Sequence, residues 1–415
     1  MPENENTAGG QLIVEVTSAI GLIPIQNAIV RIAYTTDPEE ILEELRTDEN
    51  GQTIRLTLPT PPLALSLEPQ EVRPYAEYNI TVFADGYETT RVEASELLAN
   101  ELSVQSIEMN PIEEPNLVSD DVVIEPHTLY YEYPPKIPEE EIKPINESGE
   151  IVLSRVVIPE YIIVHDGNPN DNSAPNYYVR YKDYIKNVAS SEIYATWPEA
   201  AIYANILCIM SFTLNRVYTE WYRNQGKDFT ITSSTAYDQK WIYGRNIYEN
   251  ISYLVDSVFN NYLSRPGVRQ PIFTSYCDGV RTNCSGLKQW GSKYLAEEGY
   301  SAIEILRYYY GSDIYINSTS FISGVPSSFP GYNLSVGAQG GKVMQIQEQL
   351  NRISQNYPAI PRIVADGIYG ERTKEAVETF QRVFLLPVSG IVDYPTWYEI
   401  SDIYVGVSRI AEPGT

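Results

Sequence analysis

Residues 111–150 hold seven prolines and eleven acidic residues against two lysines, Lys136 and Lys143. Proline lacks a backbone N–H and clashes with the preceding helical turn, so no helix or central strand can run through this stretch. The elements before and after it therefore form separately. The run from Pro134 to Glu141 is expected to be extended and exposed, and so open to proteases. Its composition suits two roles, a spacer or a cleavable prosegment.

Charge divides the chain at the same place. Residues 1–150 hold 30 acidic against 7 basic side chains, which leaves 25 against 22 in the remainder of a chain of net charge -26. A strongly acidic front is joined to a nearly neutral back, which points to two parts with different roles. An acidic surface repels a polyanion, so nucleic acid is not expected as a partner. Three Cys make no disulfide framework, and two His exclude a His-rich metal centre. No metal and no cofactor is expected. Cys277 and Cys284, seven apart, are either a disulfide or two free thiols, and Cys208 reads as core. No apolar run approaches the roughly 18 residues a membrane span needs, so no membrane insertion is expected. The acidic start, Met1 to Glu5, shows no secretory signal.

Residues 1–110 read as an all-β sandwich. Short alternating runs at Leu12–Val16, Ala28–Ile32, Thr53–Leu58 and Tyr78–Phe83 are separated by turn signals at Asp48-Glu49-Asn50-Gly51 and Ala84-Asp85-Gly86-Tyr87. These strands and turns resemble the prealbumin-like regulatory domain found beside carboxypeptidases, which implies a scaffolding fold without chemistry of its own. Residues 151–335 read as α+β. Helices are expected over 177–190, from Pro198 towards Tyr222, and over 247–263, with strands at 161–165 and 271–276.

Residues 336–405 read as a three-helix module. Val343, Ile346, Leu350 and Ile353 fall at helical spacing, as do Thr373, Ala376, Val377 and Phe380. With Asp366-Gly367-Ile368-Tyr369-Gly370, Phe380-Gln381, Gly390-Ile391-Val392-Asp393 and Thr396-Trp397, the module resembles the type 1 peptidoglycan-binding domain. Phe380 and Trp397 are expected in its core. Asp366 is expected to cap a helix. An exposed polar rim with Tyr369 and Gln381 is expected to touch the ligand.

The middle region carries a second resemblance. The stretch from Asp183 to Ile193, with Ser190-Ser191-Glu192 at its end, precedes Trp197-Pro198. Asp228 to Thr232, Asp238-Gln239, Tyr243-Gly244 and Phe273 to Gly279 follow. The order resembles the SpoIID family of sporulation peptidoglycan lytic transglycosylases, departing from it at Thr274 and Cys277, where that family has His and Ser. The resemblance implies that Glu192 is the catalytic acid and base. It also implies substrate contacts from Gln239, Tyr243 and Ser275. Trp197 could wall the site, because an acid that must hold its proton near neutral pH needs apolar or aromatic cover. Glu199 reads as a helix-dipole partner.

The whole order, acidic β-domain, acidic Pro-rich segment, SpoIID-like domain and wall-binding module, resembles the clostridial spore cortex-lytic enzyme family. Its members are stored in the spore as inactive precursors. The resemblance implies cleavage at Gly149, Glu150, Ile151 and Val152 by a subtilisin-like Csp germination protease, and attack by the mature enzyme on cortex peptidoglycan. A hydrolytic muramidase and a non-catalytic wall binder are the competing classes.

Overall fold

The computed structural model describes residues 7–112, 121–131, 133–143 and 153–408. The expected cleavage region, Gly149 to Val152, lies outside them.

Alternating apolar residues build the front as a sandwich. Its strands are β1 (Ala8–Ser18), β2 (Ile29–Tyr34), β3 (Asp37–Arg46), β4 (Leu56–Thr60), β5 (Ala76–Phe83), β6 (Thr90–Leu97) and β7 (Leu102–Met109). One sheet runs β7-β1-β4, with β1 parallel to β7 and antiparallel to β4; the other runs β3-β2-β5-β6, all antiparallel. Leu12, Val14 and Val16 of β1 meet Val30 and Ile32 of β2 and Tyr78, Ile80 and Val82 of β5 in a closed core. The edge strand β3 is almost wholly exposed and carries five acidic residues. Such a charged edge resists pairing with another chain. Gly51, at φ +75°, turns the chain where a Cβ would lie 2.4 Å from the Val16 carbonyl.

Both sheets recruit strands from beyond residue 112. A two-residue strand, β8 (Val122–Val123), joins β6 in parallel. The middle region contains β9 (Tyr161–His165), β10 (Asn176–Arg180), α1 (Tyr181–Glu192), α2 (Glu199–Tyr218), β11 (Ile231–Thr232), β12 (Ile247–Tyr248) and α3 (Glu249–Val258). Of these, β12 pairs antiparallel with β7 and so extends the sandwich's first sheet. The junction is buried and polar. Arg245 Nη2 meets Glu96 Oε2 at 2.6 Å, and Asn246 Nδ2 donates to the Glu96 carbonyl (2.8 Å) and to Ser103 Oγ (2.6 Å). Front and middle are thus joined by shared sheet hydrogen bonds and a buried ion pair.

Two helices are shorter than their periodicity suggests, and for the same reason. The expected helix over 177–190 starts only at Tyr181, because Asn176–Arg180 pairs antiparallel with β9. The one expected over 247–263 is only α3, because β12 pairs with β7 and Asn261–Ser264 pairs with Tyr315–Ser318. Tertiary pairing overrides local pattern in both. Two further helices, α4 (Gln289–Glu297) and α5 (Ala302–Tyr310), went unexpected. The expectation that no segment is long and apolar enough for a membrane is corrected at α2. Its 20 residues meet that standard, but the helix is the buried core of the middle region, packed by α1, α4 and α5. Its apolarity is explained by cover on all sides.

The C-terminal module is three helices, α6 (Gly341–Ile353), α7 (Glu371–Val383) and α8 (Tyr394–Ser408), as the spacing predicts. It is pinned to the middle region by Lys182 of α1, whose ammonium reaches Asp402 (2.6 Å), Glu399 (2.9 Å) and Asp256 (3.2 Å).

Candidate active site and its cover

Glu192 is the last residue of α1 and is fully buried. Val188, Ala189, Ser190 and Ser191 before it are buried too, so the helix end is driven into the protein rather than towards solvent. Its Oε1 accepts the Lys240 backbone N–H at 2.7 Å, and Gln289 Nε2 of α4 lies 3.5 Å from Oε2. The Tyr276 hydroxyl also lies against the carboxylate. Burial raises the Glu192 pKa; the Lys136 ammonium, the Lys240 N–H and Tyr276 oppose it, and burial prevails.

Lys136 comes from the Pro-rich segment. Residues 121–131 and 133–143 are largely extended, as composition implied, and alternate between exposed positions such as Tyr131, Ile137 and Ile142 and positions turned into the protein. They form a strap across the face of the middle region that bears Glu192. Ile124, His127, Thr128, Leu129, Tyr133 and Lys143 are buried. Thr128 Oγ1 donates to the Ser191 carbonyl (3.0 Å), one residue from Glu192. Arg281 donates to the carbonyls of Leu129 (2.6 Å) and Tyr130 (2.9 Å), and Thr282 Oγ1 to that of Tyr133 (2.6 Å). Further along, the Ile137 N–H donates to the Ala236 carbonyl and the Phe273 N–H to that of Glu141, both at 2.8 Å. Extended backbone in a protein interior must find such partners; beyond β8, which pairs with β6, and the His127 N–H, which reaches Glu96, this strap finds them in the middle region.

Four of the strap's charged side chains, Lys136, Glu139, Glu141 and Lys143, turn towards the middle region. The Lys136 ammonium donates to the Asp238 carbonyl and sits 4.3 Å from the centre of the Tyr276 ring and 5.4 Å from that of Phe212. Burial lowers its pKa, against the charges of Glu192 and Asp238. Tyr133 lies in the field of the same carboxylate; burial pushes its hydroxyl well up, and Glu192 and Asp278 add to that. Glu139 meets the fork of Arg216, Nη1 to Oε2 at 2.8 Å and Nη2 to Oε1 at 2.6 Å, and also pairs with Lys143. Glu141 pairs with Arg265.

The other buried carboxylates in this region are committed. Asp238 accepts from Arg216 Nε (2.7 Å), the Tyr222 hydroxyl (2.7 Å), and the N–H and Oγ1 of Thr232 (2.9 and 2.7 Å). Asp278 accepts from the backbone N–H groups of Val280, Arg281 and Thr282. Cys277 and Cys284 form a disulfide around that turn, which settles the alternatives left by their spacing. Glu192 differs from both in that the strap's Lys136 and Tyr133 lie in its field, beside its partners Lys240 and Gln289 from the middle region.

The remaining expected residues take other places. Gln239 is buried with both ends of its amide engaged: Oε1 accepts from Tyr184 (3.1 Å) and Thr213 (2.8 Å), and Nε2 donates to the Ile209 carbonyl (3.2 Å). Tyr243 is 44% exposed and stacks on Tyr177. With Trp241 and sandwich residues such as Gln105 and Ile107 it lines a cavity of about 280 Å³ that does not include Glu192. Ser275 is half-buried, and its carbonyl accepts the Tyr310 hydroxyl (2.7 Å). Trp197 is buried; its indole N–H donates to the Ser66 carbonyl (3.0 Å), beside Trp290 and Tyr194.

In the C-terminal module the expected polar rim is corrected. Tyr369 and Gln381 are interior, at 1% and 0% exposure. The Tyr369 hydroxyl donates to the Gly390 carbonyl. Gln381 accepts the N–H groups of Ser389 and Gly390 and donates to the Ile391 carbonyl and Thr396. Gln347 does the same one turn of the motif earlier, with Gly367, Ile368 and Thr373. Each glutamine pins a glycine loop onto its helix, a duplicated device. A long polar side chain on a helix face reads as surface until both loops are seen to need it. Asp366 is exposed and accepts the Ile368 N–H (2.9 Å) and Gln347 Nε2 (3.1 Å), which hold its carboxyl low.

Sequence reasoning missed Lys136, Arg216, Tyr276 and Gln289. Two signals were present. Residues 111–150 hold only two basic residues among eleven acids, and both lie in the strap and turn inward. Arg216 is the one charge in α2 after its first residue.

Comparison with known proteins gives one family match: residues 339–400 match the peptidoglycan binding domain family. The chain therefore carries a peptidoglycan-binding domain at its C-terminal end. No curated protein matches it. Among solved structures, the SleB N-terminal domain is 28% identical over 18% of this chain and 97% of that one, with a TM-score of 0.16. The minor pilin GBS52 of Streptococcus agalactiae is 14% identical over 28% of this chain and 50% of its own, with a TM-score of 0.19. Catechol 1,2-dioxygenase of Acinetobacter sp. ADP1 is 16% identical over 30% and 60%, with a TM-score of 0.20. These are distant likenesses of parts of the chain.

Proposed function

We propose that the chain is the inactive precursor of a spore cortex peptidoglycan lytic transglycosylase, with Glu192 as its acid and base and the front of the chain as its removable inhibitor. The observation that carries this reading is a buried glutamate with a raised pKa, set in an aromatic surround and covered by a strap of its own chain. The peptidoglycan-binding domain supplies the polymer as partner.

The chemistry suits a single carboxyl. Protonated Glu192 gives its proton to the oxygen linking muramic acid to glucosamine, and the C1–O bond breaks. The resulting carboxylate takes the proton of the muramic C6 hydroxyl, whose oxygen closes on C1. A 1,6-anhydro ring forms, the acid is regenerated, and no water is consumed. Two-carboxylate hydrolysis would instead need a second acid free to activate water, and Asp238 and Asp278 are both engaged.

Inhibition by the strap has a steric and an electrostatic part. Tyr133 and Lys136 fill the approach to Glu192. The Lys136 ammonium also favours the ionised carboxylate, whereas a general acid must hold its proton. Cutting at Gly149 to Val152, by a Csp-type subtilisin-like protease, frees the strap's C-terminal end. It also separates a front of 30 acidic and 7 basic residues from a nearly neutral enzyme. Cortex peptidoglycan is itself anionic, so losing that charge favours wall binding. The protein acts at the spore cortex in this reading. Sequencing the new N-terminus after exposure to germinating-spore extract tests the activation step; a cut far from 145–155, or none, would contradict it.

A further inference from the structure

Arg216 is fully buried, yet two of its nitrogens serve a segment that the precursor reading removes. Its own domain fixes the other side of the guanidinium. Nε donates to Asp238 (2.7 Å), Nη2 donates to the Tyr237 carbonyl (3.2 Å), and the rings of Phe273, Trp221, Phe212 and Tyr222 lie 4.8 to 5.4 Å from its central carbon. Asp238, in turn, is locked by Thr232 and Tyr222. The planar fork is therefore held in place without the strap, and the strap delivers to it one carboxylate, Glu139, in a two-point contact. Such a fork matches a carboxylate in geometry as well as charge. Three residues before Glu139, Lys136 sits in the field of Glu192 and against Asp238, the residue that anchors Arg216. The carboxylate slot and the candidate acid thus open on the same strap-filled groove.

We infer that Arg216 is a carboxylate-binding subsite of the substrate groove, filled in the precursor by Glu139 and in the freed enzyme by a carboxylate of the peptide stem on the muramic residue. This rests on the reading of the chain as a strap-inhibited, wall-cleaving precursor. The lactyl peptide stems carry the free carboxylates of peptidoglycan, so the glycan offers this ligand beside the bond to be cut. Holding it would orient the muramic ring over Glu192. It would also explain why a charge is kept buried in the last turn of a mostly apolar helix, where an unpaired guanidinium is costly.

Two measurements test it. In the full chain, Glu139→Ala empties the fork while leaving every middle-region residue in place. N-acetyl-alanine should then raise the variant's thermal midpoint in a dose-dependent way; its amide should not, and wild type should not respond. Equal effects of acid and amide, or no effect of either, overturn the carboxylate subsite. If the Ala variant fails to fold, Glu139→Gln keeps the side-chain volume, and its faster strap opening by hydrogen exchange is the equivalent result; unchanged exchange overturns it. In the second measurement, extract-nicked wild-type chain is given cortex glycan with free stem carboxylates or with the same carboxylates converted to amides. A charged hydrogen-bonded pair of this kind corresponds to a drop of roughly tenfold or more in kcat/KM on amidation. Equal rates on both glycans overturn the subsite alone. Release from neither glycan defeats the transglycosylase reading and leaves the ligand response of the first measurement to decide on Arg216.

Discussion

Glu96→Gln should destabilise the whole precursor, not only the sandwich that contains it. Glu96 is 1% exposed on β6. One carboxylate oxygen receives Arg245 from the middle region at 2.6 Å, and the other receives the His127 N–H of the strap at 3.0 Å. Arg245 also donates to the Ser190 carbonyl, two residues before Glu192. Three parts of the chain therefore meet at one carboxylate. Glutamine keeps the volume but leaves a buried guanidinium without its counter-charge, and breaking a buried pair from one side costs about 3–5 kcal/mol. With an unfolding entropy of about 2.1 cal/mol/K per residue over roughly 400 residues, that is a fall of roughly 4–6 °C in midpoint. Differential scanning calorimetry of the full chain at a fixed scan rate reads it. A single transition moved by several degrees is expected, and Glu96→Met with Arg245→Met should recover most of the loss. A shift below about 1 °C, or a separate sandwich transition moving alone, would refute the claim that front and middle are one cooperative body.

Other outcomes follow from particular contacts. Lys136→Met removes the charge against Asp238 and Tyr276, so amides of residues 133–141 should exchange faster in the full chain; unchanged protection would mean that Lys136 does not hold the strap. Glu101 has its pKa raised from 4.5 to about 7, by burial first and by Glu249 of α3 second. A raised carboxyl contributes stability that is full below its unfolded value and is lost as pH rises through the folded one. The urea midpoint of the precursor should therefore decline between about pH 5 and 8, and Glu101→Gln should flatten that slope; an unchanged slope would exclude Glu101 as its source. Gln381→Leu strands the Ser389 and Gly390 N–H groups at a cost of about 1–3 kcal/mol each and should release the chain from sacculi in a pull-down. Full retention would show that the pinned loop does not shape the wall-binding surface.

How far the sequence could be read depended on the range of the interactions. The sandwich strands and the three C-terminal helices follow local periodicity, and Leu12–Val16 and Val343–Ile353 lie where alternation and helical spacing put them. The helix ends at 181 and 258 do not, because strand pairing with distant partners truncates the pattern. The position of Glu192 at a helix end and its need for apolar or aromatic cover were legible, but the source of that cover was not. That cover depends on a segment that local composition marks as exposed, and which is held by contacts more than 60 residues away. Tyr369 and Gln381 looked like a ligand rim because polar side chains usually face water. Here each serves a glycine loop inside the module.

The most direct test compares wild type and Glu192→Gln on cortex sacculi after nicking by germinating-spore extract, with the soluble products read by mass spectrometry. Wild type should release 1,6-anhydromuramic fragments, and the variant should bind the sacculi equally well and release none. Anhydro products from the Gln variant would remove Glu192 from the chemistry. Products carrying an added water would make the enzyme a hydrolase, and no products from wild type would leave a wall-binding protein without this activity.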